Sequence, residues 1–266
     1  TSSRIQGDVA SGSGGDGLFN GNGAIITGSV DVGGGNDTVT NSTAGVLGPV
    51  MLGEGDDSLF NTSAGGTITG NASLGGGGDT LINQGTINGS VLCGDGADSV
   101  FNTGLISDNS DCGMGNDTFI NTSGGIITGD LSLGADQDVF LNSLASLYGD
   151  VFGGDGNDSL TNSDGLIVGT LDAGLGDDTV TIASGTVGGV VGGDGADSLT
   201  VAGLVSTDLD GGAGDDTLVL DGTVNGQIIG GLGNDSIALN SINDDTWSLL
   251  DPGADTLNGR GGSDTL

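Results

Sequence analysis

GGGGDTLINQGTINGSVLC (residues 75–93) and GAGDDTLVLDGTVNGQIIG (residues 212–230) are two copies of one unit. Each runs from a glycine-rich turn into an aspartate, then through apolar residues that alternate with polar ones and pause at glycine. Working outward from them, the pattern G-x-G-x-D aligns Asp16, Asp37, Asp57, Asp79, Asp98, Asp117, Asp138, Asp158, Asp178, Asp197, Asp216 and Asp235, each 19 to 22 residues after the last. Two residues after each aspartate stands an apolar side chain: Leu18, Val39, Leu59, Leu81, Val100, Phe119, Phe140, Leu160, Val180, Leu199, Leu218 and Ile237. Further along, the alternation resumes, as in Ile87, Gly89 and Val91.

Period two broken by glycine predicts short strands, and stretches of helical period are scarce. A unit of this size cannot bury its own apolar face, so it must stack on its neighbours in a parallel ladder. The expected fold is all-β, a right-handed parallel β-helix of about a dozen coils of ~20 residues. It is expected to span residues 1–239, with 240–266 an irregular segment followed by short repeats that continue the solenoid.

Composition narrows the function. The formal net charge of -34 comes from 36 acidic residues against Arg4 and Arg260, with no lysine or histidine, and Glu54 is the only glutamate. Such a surface repels nucleic acid and anionic lipid, and its carboxylates repel one another unless counterions sit among them. With 60 glycines and few aromatic residues, a large globular core is not expected. A disordered acidic chain would carry like charges in blocks, whereas these recur at an interval. No stretch is apolar enough for membrane insertion, and neither a signal peptide nor an initiating methionine is visible, so the chain reads as processed or excised.

Glycines four and two residues before each aspartate, such as Gly33 and Gly35, permit a tight turn whose carbonyls converge. Aspartate adds a hard anionic oxygen. Calcium takes 6 to 8 such ligands at about 2.3–2.6 Å, and the lack of histidine argues against zinc or copper. Aspartates acting only as turn formers are the competing reading.

On these residues the chain resembles the repeats-in-toxin family, whose nonapeptide is G-G-x-G-x-D-x-U-x with U apolar. The tail GADTLNGRGGSDTL (residues 253–266) carries the family spacing, with Asp255 and Asp264 nine residues apart. The longer repeats are similar to the ice-binding module of a giant bacterial adhesin and to Gly/Asn-rich autotransporter passengers. The resemblance implies a one-sided calcium ladder, about one ion per coil. Each ion would be held by turn carbonyls and by an aspartate from each of two neighbouring coils, and the chain would fold after export into millimolar calcium. Asp16, in the irregular run GSGGDG, and Asp138, preceded by Asp136 where a glycine is expected, depart from the pattern.

Three further columns stand out. Four residues after the aspartate come Asn20, Asn41, Asn61, Asn83, Asn102, Asn121, Asn142 and Asn162, then Ile182, Val201, Leu220 and Leu239. This column reads as an inward amide ladder, with a second ligand row as the alternative. Cys93 and Cys112 share a column with Leu52, Leu74 and Leu133, leaving open buried thiols or, as export favours, a disulfide. Phe19, Phe60, Ile82, Phe101, Ile120 and Leu141 form an outward apolar row, read either as a lateral contact or as a strand covered by a local loop.

The expected role is a calcium-stabilised extracellular or cell-surface structural protein: a surface layer, adhesin stalk or filament subunit. It would associate with itself head to tail, laterally through Phe60, Ile82, Phe101, Ile120 and Leu141, or both. The alternatives are an adhesin module binding carbohydrate or another surface and a polysaccharide-modifying β-helix enzyme. Catalysis is not expected, because only two basic residues exist and the aspartates are committed to turns. The ice-binding module has threonine and asparagine ladders three residues and one residue before the aspartate. Here the former column reads Gly34, Glu54, Gly76, Asp95, Met114, Ala135, Asp155 and Leu175, so thermal hysteresis is expected to be absent.

Overall fold

The computed structural model describes residues 3–62 and 64–240, together with the backbone of 256–259. The chain divides into two compact units, Thr1–Gly134 and Ala135–Leu266. Each is a parallel β-solenoid of the right-handed kind that strand connections favour. The described residues contain no helix.

A coil of the first unit consists of a strand Thr38–Asn41, a corner, a two-residue strand Val46–Leu47, a bend, a strand Val50–Glu54 and the glycine turn that leads to Asp57. The next coil lies on it residue for residue: Thr38 pairs with Ser58, Val39 with Leu59, Thr40 with Phe60 and Asn41 with Asn61. In the second unit the same register joins Ser159 to Thr179, Leu160 to Val180 and Thr161 to Thr181. Stacking thus satisfies the strand backbones between coils and piles equivalent side chains about 4.8 Å apart.

The piles are the core. In the first unit Val39, Leu59, Leu81, Val100 and Phe119 face the column Leu47, Ile68, Ile87, Ile106 and Ile127, all at most 2% exposed. In the second, Phe140, Leu160, Val180, Leu199, Leu218 and Ile237 stack likewise beside Leu147, Ile167, Val187, Val205 and Val224. Each buried aliphatic side chain contributes about 1.5–3 kcal/mol.

The asparagine column is the amide ladder rather than a ligand row. Asn61 Nδ2 donates to Asn83 Oδ1 at 2.8 Å, Asn83 to Asn102 and Asn102 to Asn121 at the same distance, and in the second unit Asn142 to Asn162 at 2.9 Å. Nδ2 also reaches the corner backbone, as from Asn41 to the Gly45 carbonyl. From Ile182 onward aliphatic residues fill the column, equally buried.

Coil length varies at this corner. Asn83 reaches the strand Thr86–Ile87 through Gln84 and Gly85 alone, whereas Asn61 reaches Thr67–Ile68 through residues 62–66. Roomier corners place non-glycine residues in left-handed geometry: Asn22, Thr43, Ala44, Ser123, Leu144 and Asp164.

Cys93 and Cys112 are free, buried thiols on neighbouring strands, so the disulfide that export favoured is not formed. In-register parallel neighbours point the same way about 4.8 Å apart, beyond the ~3.8 Å between Cβ atoms that a disulfide prefers. In the outward row Phe60, Ile82, Phe101 and Ile120 stack in register and stay partly exposed. Beside it run Ser58, Thr80, Ser99 and Thr118, so this face of the first unit carries no charge.

Replacing one rung of the ladder, Asn83→Ala, takes from the Asn61 amide its shortest acceptor and leaves it the longer bonds to the Gly66 and Thr86 carbonyls. The expected loss is about 1–3 kcal/mol by chemical denaturation in calcium, and an unchanged midpoint would show that the ladder is not needed.

Candidate metal centre

From Asp37 to Asp235, Asp138 apart, the turn before each motif aspartate rests on two left-handed glycines. For Asp57 these are Gly53 and Gly55, with φ of 107° and 126°. A Cβ on Gly53 would lie 1.6 Å from the Gly33 carbonyl oxygen of the preceding coil, so no side chain fits. Ahead of Asp138 the second glycine is Asp136, which takes the same hand at φ of 81° and preserves the turn.

The turn delivers the carboxylate inward. Asp37, Asp57, Asp79, Asp98, Asp117, Asp138, Asp158, Asp178, Asp197, Asp216 and Asp235 are each at most 2% exposed. Asp16, in the irregular run, is only half-buried, and Asp255, Asp264 and Trp247 lie outside the residues whose side chains are described.

The two oxygens of each carboxylate differ in role. Oδ1 accepts the backbone N–H of the motif aspartate one coil earlier: Asp37 donates to Asp57 at 2.7 Å, Asp57 to Asp79 at 2.7 Å and Asp79 to Asp98 at 2.7 Å. In the second unit Asp158 donates to Asp178 at 2.7 Å, and Asp178 to Asp197 and Asp197 to Asp216 at 2.8 Å. Oδ2 of Asp37, Asp57, Asp79, Asp98, Asp158, Asp178, Asp197 and Asp216 is buried without a hydrogen-bond partner. An anionic oxygen in that position costs several kcal/mol unless it is neutralised.

The adjoining strand is also interrupted here. Ser73 pairs with Leu92 and Gly75 with Gly94, while the intervening Leu74 and Cys93 do not pair; likewise Val191 pairs with Asp210 and Gly193 with Gly212, but not Gly192 with Gly211.

Among the described residues no three His, Cys, Asp or Glu side chains gather into a cluster. A resident cation would therefore combine aspartates of successive coils, such as Asp57 with Asp79 or Asp178 with Asp197, with turn carbonyls. This all-oxygen, anionic, desolvated set fits calcium.

The other acids do different work. Asn36 and Asp56 accept the backbone N–H of Asp56 and Gly78 one coil on, and Asp177 accepts that of Ala196. At the bend between the short and long strands, Asn71 and Asp208 accept from Ser90 and Gln227. These outer Asx ladders were not distinguished in the sequence; the signal for them is an aspartate or asparagine recurring one coil apart outside the turn motif.

Burial raises the pKa of Asp79 to about 6, against the lowering effect of the Asp57 N–H and with a further rise from Asp98 and Asp57. Burial likewise raises Asp178 to about 7 and Asp216 to about 6, with Asp57, Asp98, Asp158 and Asp197 moved the same way. A folded pKa above the unfolded one stabilises the fold at pH values below the unfolded pKa, about 3.9, and this contribution is lost as pH rises through the folded pKa. In chelator, melting temperature is expected to fall between about pH 4 and pH 7; in saturating calcium, which requires the ionised form, it is expected to rise over the same interval. Parallel profiles with and without calcium would contradict this.

No protein-family model matches the chain, and no curated protein sequence matches it. Among solved structures, the chain is similar to a hyperactive, Ca2+-dependent, β-helical antifreeze protein from an Antarctic bacterium. The TM-score is 0.69 at 22% identity, over 90% of this chain and 85% of that one, a likeness of fold.

Proposed function

We propose that this chain is a calcium-stabilised structural protein of the cell exterior, serving as a surface layer, adhesin stalk or filament subunit rather than an enzyme. The observation that carries the reading is the row of buried Oδ2 atoms without partners, repeated coil after coil. A divalent cation resolves all of them at once, and millimolar calcium is an extracellular condition. The likeness to a Ca2+-dependent β-helical protein supports the calcium requirement.

Antifreeze activity is not carried over. The column three residues before the aspartate holds Glu54, Asp95, Met114, Asp155 and Leu175, which offer no threonine ladder. Lateral self-association, in contrast, has a surface suited to it in the uncharged row Phe60, Ile82, Phe101 and Ile120, with Leu141 as its counterpart in the second unit.

Asp98→Asn separates the ligand role from the turn-forming role, because the amide oxygen still accepts the Asp79 N–H while the negative charge is gone. The expected result is a lower melting temperature than wild type in calcium and an equal or higher one in EGTA. A wild-type melting temperature at pH 7 that is the same in calcium and after exhaustive chelation would sink the calcium reading. Sedimentation of wild type against Phe60→Ser/Phe101→Ser in calcium tests the contact: a smaller assembly is expected for the double variant, and identical profiles would remove this surface from consideration.

A further inference from the structure

The position five residues before the motif aspartate divides the coils into two kinds. In the first unit it holds Val32, Leu52, Leu74, Cys93, Cys112 and Leu133, each at most 3% exposed. In the second it holds Gly153, Gly192, Gly211 and Gly230, with Ala173 among them.

What surrounds these glycines is specific. A Cβ on Gly192 would lie 2.2 Å from the Gly211 carbonyl oxygen of the next coil and 2.6 Å from Asp197 Oδ2. On Gly211 it would lie 2.2 Å from the Gly230 carbonyl oxygen and 2.7 Å from Asp216 Oδ2, and on Gly153 2.1 Å from the Ala173 carbonyl oxygen and 2.6 Å from Asp158 Oδ2. At each, a carbonyl of one coil and an orphaned carboxylate oxygen of its neighbour converge on a single opening, and they repel unless something positive lies between them. A real Cβ does not tolerate an oxygen closer than 3.0 Å. A Leu or Cys at this position therefore needs the corresponding oxygens farther from its Cβ than the glycine coils have them.

Val201 and Leu220, in the coils of Gly192 and Gly211, are buried aliphatics where the first unit has asparagine, while the coil of Gly153 keeps Asn162.

Resting on the calcium reading above, we infer that this position sets the cation affinity of each rung: the glycine rungs of Asp158, Asp197 and Asp216 bind divalent cation tightly, and the Leu/Cys rungs of Asp57, Asp79 and Asp98 bind it weakly. The position is that of the first glycine of the nonapeptide G-G-x-G-x-D-x-U-x, which the glycine rungs keep and the Leu/Cys rungs replace.

The test is equilibrium dialysis of the full chain against radioactive calcium after chelator treatment. Two classes of site are expected, about tenfold or more apart in Kd. Cys93→Gly should transfer one ion from the weak class to the tight class, and Gly192→Leu should remove one from the tight class. If Gly192→Leu does not fold, the wild-type isotherm and Cys93→Gly still decide. A single class of site, or an unaltered tight-site count in Cys93→Gly, overturns the inference while leaving calcium binding intact; no bound calcium at all overturns the calcium reading itself.

Discussion

The structure depends on how it disposes of negative charge in its interior. Stacked coils place successive aspartates about 4.8 Å apart, where two carboxylates repel by roughly 3 kcal/mol at an effective dielectric near 20. Hydrogen bonds from the backbone occupy one oxygen of each and fix its direction. The other oxygen is thereby held against its neighbours and away from water, so ionised aspartate opposes the very stacking that creates it. Hydrophobic piles such as Leu59, Leu81 and Val100 favour assembly at every pH; the aspartate column makes assembly conditional.

That conditionality organises the rest. Glycines at positions such as 53 and 55 are dictated by the turn, because a side chain would strike the coil beneath. The amide ladder from Asn41 to Asn121 seals the next corner with neutral groups that both donate and accept, so no second charge enters the interior. Charge is kept off the sheet face bearing Phe60 and Ile82 and placed in turns and bends, where side chains such as Asp56 and Asp177 bind backbone while remaining in water.

Most of this was legible in the sequence because periodicity is a one-dimensional signal. The aspartate column, the apolar residue two places later and the asparagine row each recur about once per coil, and stacking turns recurrence into contact. What could not be read is whatever depends on which oxygen points where. In the pairs Asp56–Asp57 and Asp177–Asp178 both residues are aspartate, yet only the second of each is buried, a consequence of the left-handed glycine before it. The Cys93 and Cys112 column was legible as an adjacency, but not the parallel aim of the two side chains. Spacing places Gly192 and Leu74 in one column, at the first glycine of the nonapeptide, but does not weigh one against the other.

The uneven corner after the asparagine has a consequence of its own. Coils gain or lose residues there, between Asn61 and Thr67 or Asn83 and Thr86, while the register of the paired strands is kept. This corner begins five residues after the motif aspartate, beyond the strand that carries the buried column, and both Ala44 and Ser123 in it are exposed, so foreign segments inserted there would be displayed to solvent without entering the carboxylate turn.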